Sequence, residues 1–118
     1  MRTLFHYSPC STCQKARRFL DEHGIAYTPR HIVQLPPRVE EITVWVKDYG
    51  NDPIRLFNTH GKRYRELDIK AKLPSLSEEQ IIELFADDGM LVKRPILIFG
   101  KRILIGFNER VWRETLLH

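Results

Sequence analysis

Cys10 and Cys13 lie three residues apart, between an apolar opening at Leu4-Phe5 and a helix-like run from Gln14 to His23. A chain that carries a C-x-x-C at such a junction must fold so that a strand ends where a helix begins. A helix N-terminus presents unpaired backbone N–H groups and partial positive charge. That field favours a thiolate at Cys10, the form that attacks disulfides and electrophiles. Cys13 is one turn further on and can attack a mixed disulfide formed at Cys10, so the spacing supplies a nucleophile and a resolving partner.

These are the only two cysteines. Half of a zinc site and simple core packing are the other readings of such a pair. Zinc takes about four ligands, or three plus water. The five histidines (His6, His23, His31, His60, His118) are scattered without ligand spacing, so no metal is expected. The chain of 118 residues is one domain by length, long enough for a hydrophobic core. No apolar run approaches the roughly 20 residues of a membrane span, and the N-terminus lacks an apolar signal core. The expectation is a cytoplasmic monomer with no membrane contact, in a compartment where paired cysteines are catalytic or sensory. A net charge of +4 favours anionic partners. Yet the basic residues alternate with acids, as where Lys15, Arg17 and Arg18 precede Asp21 and Glu22. No direct nucleic-acid binding is expected.

Along the chain, Thr3 to Tyr7 reads as a strand stopped by Ser8-Pro9. Cys13, Ala16, Phe19 and Leu20 then follow a helical period, and Gly24 fits the left-handed residue that closes the helix. Ile25, Tyr27, His31 and Val33 predict a second strand, with Pro29 disturbing it or marking an edge. From Pro37 to Gly89 the texture is helical. The expected helices run from Arg38 to Tyr49, over Ile54–Phe57, at Tyr64–Leu67, and after a capping box at Ser77-Glu78-Glu79-Gln80. Ile96–Phe99 and Arg102–Ile105 form a hairpin around Gly100-Lys101. A last helix starts at Asn108-Glu109, with Val111, Trp112, Thr115 and Leu116 on one face. The order β-α-β, helices, β-β-α with a C-x-x-C at the first junction predicts an α/β, thioredoxin-like fold. Its core spans 1–35 and 90–118, and 36–89 is a helical insertion. In such a fold Arg94-Pro95 is expected to be cis and to face the cysteines.

Several strings coincide with one family. They are Tyr7-Ser8-Pro9-Cys10-Ser11-Thr12-Cys13-Gln14-Lys15-Ala16, Phe57-Asn58-Thr59-His60-Gly61 with Tyr64-Arg65-Glu66-Leu67, Asp88 through Pro95, and Gly106-Phe107. Together the chain resembles the arsenate reductase (ArsC)/Spx family, and within it the bacterial ArsC-related proteins that carry a C-x-x-C. The resemblance implies a catalytic cysteine at Cys10. It implies a histidine that helps activate the thiol at His6, and an oxyanion-binding arginine at Arg94 beside Pro95. Two further arginines that clamp arsenate in the reductases fall here at Asn58 and near Gly106. Arsenate reduction is therefore expected to be weak or absent, since a tetrahedral oxyanion needs several guanidinium or backbone donors.

Ser11 and Thr12 at the helix start, and Asn58, are the remaining candidates for contact with a small anionic or disulfide substrate. Asn58 also fits as the residue that ends a short helix. No bound cofactor is expected; glutathione, glutaredoxin or thioredoxin is the expected reductant. The Spx side of the resemblance implies a redox-sensing regulator that binds the C-terminal domain of the RNA polymerase α subunit. In it, a glycine of the insertion matches Gly50.

Overall fold

A computed structural model describes residues 2–48 and 53–117. In chain order its elements are β1 (Arg2–His6), α1 (Ser11–Glu22), β2 (Thr28–His31), α2 (Val39–Asp48), α3 (Lys62–Glu66), α4 (Ile69–Lys72), α5 (Glu78–Asp87), β3 (Ile96–Phe99), β4 (Arg102–Ile105) and α6 (Glu109–Leu116). Short 3₁₀ turns cover Pro53–Leu56, Leu73–Ser75 and Gly89–Leu91. The chain forms two compact units. One is Met1–Gln34 with Arg94–His118, and the other is Leu35–Lys93.

The first unit is a four-stranded sheet of order β2-β1-β3-β4. β1 and β2 are parallel, with α1 as their crossover, while β1–β3 and β3–β4 are antiparallel. β2 is an edge strand, which is where Pro29 lacks no ladder partner it would need. The second strand is shorter than the apolar spacing from Ile25 to Val33 predicts. Ile25 instead donates its N–H to the Leu20 carbonyl at 2.9 Å and belongs to the helix exit. Gly24 closes that exit at φ +65°, in the left-handed region expected of it.

Register puts Leu4, Leu97 and Leu104 in one row across the sheet. Leu4 and Leu97 are buried with Ala16, Phe19 and Leu20 of α1 and Trp112 of α6, so these two helices cover that face. Each large apolar side chain so buried contributes roughly 1.5–3 kcal/mol. Trp112 also donates its indole N–H to the Gly106 carbonyl at 3.1 Å, which satisfies its one polar atom. Val111 does not share that buried face. It is 42% exposed, one residue out of phase with Trp112.

In the second unit α2 packs on α5, burying Ile42, Trp45 and Val46 on one and Ile81 and Phe85 on the other. The capping box is present: Gln80 N–H donates to Ser77 Oγ at 3.2 Å, and Ser77 N–H donates to Gln80 Oε1 at 2.8 Å. The helix expected to reach Tyr49 is described to Asp48. Tyr49 and the Gly50 match lie outside the described residues. The helix expected at Tyr64–Leu67 starts two residues earlier, at Lys62, with Gly61 as its N-cap. The segments at 56–58 and 91–93 are tied together. Phe57 and Val92 form an antiparallel bridge, Asn58 N–H donates to Leu91 O at 2.8 Å, and Lys93 N–H donates to Leu56 O at 2.7 Å.

Candidate active site

After β1 the chain turns sharply. Cys10 N–H donates to the Tyr7 carbonyl at 2.9 Å, and the Gln14 side-chain amide donates to the Ser8 carbonyl at 2.9 Å. The turn delivers Cys10 as the N-cap of α1, with extended backbone at φ −77° and ψ 116°. At an N-cap a side-chain oxygen usually accepts from an amide of the first turn. Here a sulfur takes that place: Cys13 N–H donates to Cys10 Sγ at 3.3 Å. The positive end of α1 acts on the same sulfur.

The two thiols are unequal. Cys10 is partly exposed, while Cys13 is 1% exposed and packed in the core; both are free. Burial, first of all, pushes the Cys13 thiol up to about 12. Its hydrogen bond with Cys10 and the charge there add to the rise. A backbone hydrogen bond from Tyr7 and the charge of Arg94 act the other way. Cys13 is thus held protonated beside Cys10 at neutral pH.

Arg94 precedes β3 and is joined to Pro95 by a cis peptide bond, as expected. Its guanidinium carbon lies 4.8 Å from the centroid of the Tyr7 ring, and its charge reaches Cys13. Pro95 accepts the Gly106 N–H at 2.8 Å, fixing the chain beside β4. Ser11 and Thr12 are exposed in the first turn of α1. Cys10, Cys13 and Arg94 are therefore brought together, with Tyr7 among them. The sequence offered Tyr7 only as the end of a strand and as part of a string. Its contact with Arg94 depends on which residues the β1–α1 turn and the start of β3 bring close.

His6 is 7% exposed and sits opposite His31 in the β1–β2 register, the two rings edge-on with centroids 5.5 Å apart. Burial, then the charges of Arg17 and His31, lower its pKa from the ordinary value near 6.5. It is a neutral imidazole at pH 7. Among the described residues its Nδ1 has no hydrogen-bond partner, and no hydrogen bond joins it to either cysteine. His31 in turn accepts the Val33 and Gln34 N–H groups on Nδ1, at 3.2 and 3.3 Å. Nothing in the sequence paired these two histidines, because only the strand register places them opposite each other.

Asn58 belongs to the helical unit. Its carbonyl accepts the Gly61 N–H at 3.0 Å, and its side chain lies where a Cβ on Gly61 would stand, with Nδ2 at 2.7 Å. That close approach gives Phe57-Asn58-Thr59-His60-Gly61 a structural reason of its own. The short helix Asn58 was expected to end stops at Leu56. Among the described residues, no group of three or more His, Cys, Asp or Glu is placed to hold a metal ion. No described helix is long and apolar enough to cross a membrane.

The sequence pattern of the ArsC family matches residues 5–115. YusI of Bacillus subtilis is 42% identical over 113 residues, covering 96% of each chain. The global transcriptional regulator Spx of Listeria innocua is 34% identical over 116 residues, covering 98% of this chain and 87% of that one. Among solved structures, an ArsC-family-related protein of Bacteroides fragilis superposes with a TM-score of 0.88 at 42% identity, covering 96% of this chain and 95% of that one.

Proposed function

The chain belongs to the ArsC family, and from that premise we propose a thiol–disulfide redox protein with Cys10 as nucleophile and Cys13 as resolving thiol. The observation that carries this reading is the inequality of the pair: a partly exposed sulfur capped by an amide at 3.3 Å, above a buried, protonated thiol. In the first step the Cys10 thiolate attacks one sulfur of a disulfide substrate. A Cys10–substrate disulfide forms and the other half leaves as a thiolate, which takes up a proton. Cys13 then attacks Cys10 while its proton passes to the departing substrate sulfur, giving the Cys10–Cys13 disulfide and releasing the substrate thiol. Glutathione, glutaredoxin or thioredoxin returns the pair to dithiol, with no bound cofactor, in the cytoplasm.

Arg94 stabilises the negative sulfur and receives the anionic part of the substrate, such as a glutathione carboxylate. The first-turn groups of Ser11 and Thr12 and the backbone at Pro95 complete the approach surface. Single-turnover assays of the reduced protein against arsenate, a glutathionylated peptide and thioredoxin disulfide test the substrate class. Consumption of a disulfide substrate, lost in Cys10→Ser, is the expected result, with little or no arsenate reduced. Robust arsenate turnover lost in Cys10→Ser would show that the oxyanion site is built from other donors.

A second reading is favoured by the likeness to Spx along 98% of the chain. In it, the same cysteine pair senses oxidants and the protein binds the C-terminal domain of the RNA polymerase α subunit. A pull-down with that domain, with both redox states of the protein, separates the two readings.

A further inference from the structure

The row Leu4-Leu97-Leu104 has a neighbour on the same face of the sheet: Arg2, Phe99 and Arg102, set opposite one another on β1, β3 and β4. This row closes the end of the sheet away from Cys10, because β1 carries the chain roughly 13 Å from Arg2 to His6 before the turn to the thiols. Between Phe99 and Arg102 the hairpin turns at Gly100, with φ +58°, and Lys101. Arg2, Phe99, Gly100, Lys101 and Arg102 line an open hollow of about 460 Å³. Its ionisable side chains are all cationic.

Two features set this hollow apart from ordinary solvated surface. Arg38, Arg63, Arg110 and Arg113 each reach a carboxylate. Among the described residues, none pairs with Arg2, Lys101 or Arg102. Like charges gathered without counter-charge repel one another. Arg2 is also half-buried. Its Nη1 donates to the Ala26 carbonyl at 3.4 Å, while its Nε is buried with no hydrogen-bond partner among the described residues. A buried donor left unpaired is costly. Charge on an edge strand serves to block sheet extension, which accounts for Arg102 on β4. It does not account for Arg2, since β1 is an interior strand.

We propose that this hollow is a second anion site, for a small ligand that carries a chain of phosphate groups. Arg2 and Arg102 stand two strand spacings apart, about 10 Å between backbones. Their planar forks suit phosphate oxygens and grip a phosphate chain from two sides, with Lys101 as a point charge at the turn. A lone phosphate is too short to engage both forks without drawing the two cations together. A bound chain supplies the missing counter-charge and an acceptor for the Arg2 Nε–H. The site is independent of the redox reading above, since neither cysteine lines it.

The test is calorimetric titration of the intact, reduced protein with inorganic triphosphate in about 0.15 M salt, where attraction between exposed charges beyond roughly 8 Å is screened. Binding with a Kd below about 1 mM is expected. Arg2→Gln and Arg102→Gln should each weaken it about tenfold or more, the scale of a lost charge-assisted hydrogen bond. Lys70→Gln, which removes an exposed charge from α4, should change nothing. Should Arg2→Gln not fold, Lys101→Gln takes its place beside Arg102→Gln. Amide NMR shifts on binding should centre on Gly100 to Arg102. A parallel titration with adenosine triphosphate separates the sources of the phosphate chain: equal or tighter binding assigns a nucleotide, and binding of triphosphate alone assigns the free inorganic anion. Both support the site. Absence of binding in this salt overturns it, as does an equal loss in Lys70→Gln or unaltered affinity in the Arg102→Gln variant. Shifts confined to Cys10 to Cys13 would place the anion at the thiols, overturning this site and leaving the redox reading intact.

Discussion

The amide of Cys13 points at the sulfur of Cys10 across 3.3 Å, so Cys13 caps Cys10 with its backbone while its own thiol stays buried. One helical turn holds both relations at once, and the chemistry proposed for the pair depends on their being held together.

The first consequence is selectivity. With Cys13 buried and pushed up to about 12, alkylation between pH 6 and pH 9 should fall on Cys10 alone. Cys13 should label only after denaturation. Graded-pH alkylation with peptide mapping reads this directly, and preferential labelling of native Cys13 would reverse the assignment.

Arg94 should act through charge. A guanidinium pairs well with an anionic group of an incoming substrate. Arg94→Ala should slow the reaction of Cys10 with an anionic disulfide such as oxidised glutathione at neutral pH. Arg94→Lys should recover part of this, since the charge remains while the planar fork does not. Thermal melting should change little in either variant. An unfolded Arg94→Ala with normal thiol reactivity would make the residue structural.

His6 predicts an acid-side slope in stability. Its folded pKa lies below the ordinary 6.5, chiefly through burial. The unfolded chain therefore binds its proton first as pH falls. The full contribution is present above about pH 6.5 and is lost as pH drops from there through the folded value. Urea denaturation at a series of pH values should show the slope, and His6→Asn should flatten it. An unchanged slope would mean that another group carries it.

The thiol site was legible in the sequence as far as it depends on neighbours in the chain. Cys10, Cys13 and the helix they open follow from spacing and period. The Ser77–Gln80 box and the Gly24 exit follow from local hydrogen-bond chemistry. Contacts set by register were not legible. His6 faces His31, and Tyr7 meets Arg94, because strands far apart in sequence pair in one particular alignment. The tie between Phe57 and Val92, and the short turns at Ile69–Lys72 and Leu73–Ser75, show the same limit. They are too short to carry a period, and the packing of the unit makes them.

Asn58 and Gly61 give a prediction independent of the thiols. A Cβ on Gly61 would stand 2.7 Å from Asn58 Nδ2 and 3.1 Å from its carbonyl oxygen. Gly61→Ala should destabilise by about 1–3 kcal/mol, the usual cost of overpacking. Part of the clash is with the Asn58 side chain, so Gly61→Ala should cost less in an Asn58→Ala background. Chemical denaturation of the four-member cycle measures the coupling. Strict additivity would show that the two side chains do not compete for this space.

The account turns on the order of events at the two sulfurs, and trapping with oxidised glutathione tests it most directly. The reduced Cys13→Ser variant should accumulate one glutathione adduct, mapped to Cys10, because the thiol that would displace it is gone. The wild type should pass through that adduct and end as the intramolecular Cys10–Cys13 disulfide, without retained glutathione. Intact-mass and peptide-mass measurements distinguish these species. A stable adduct on the wild type, or an adduct that forms as readily on Cys13 in Cys10→Ser, would contradict the assignment of nucleophile and resolving thiol.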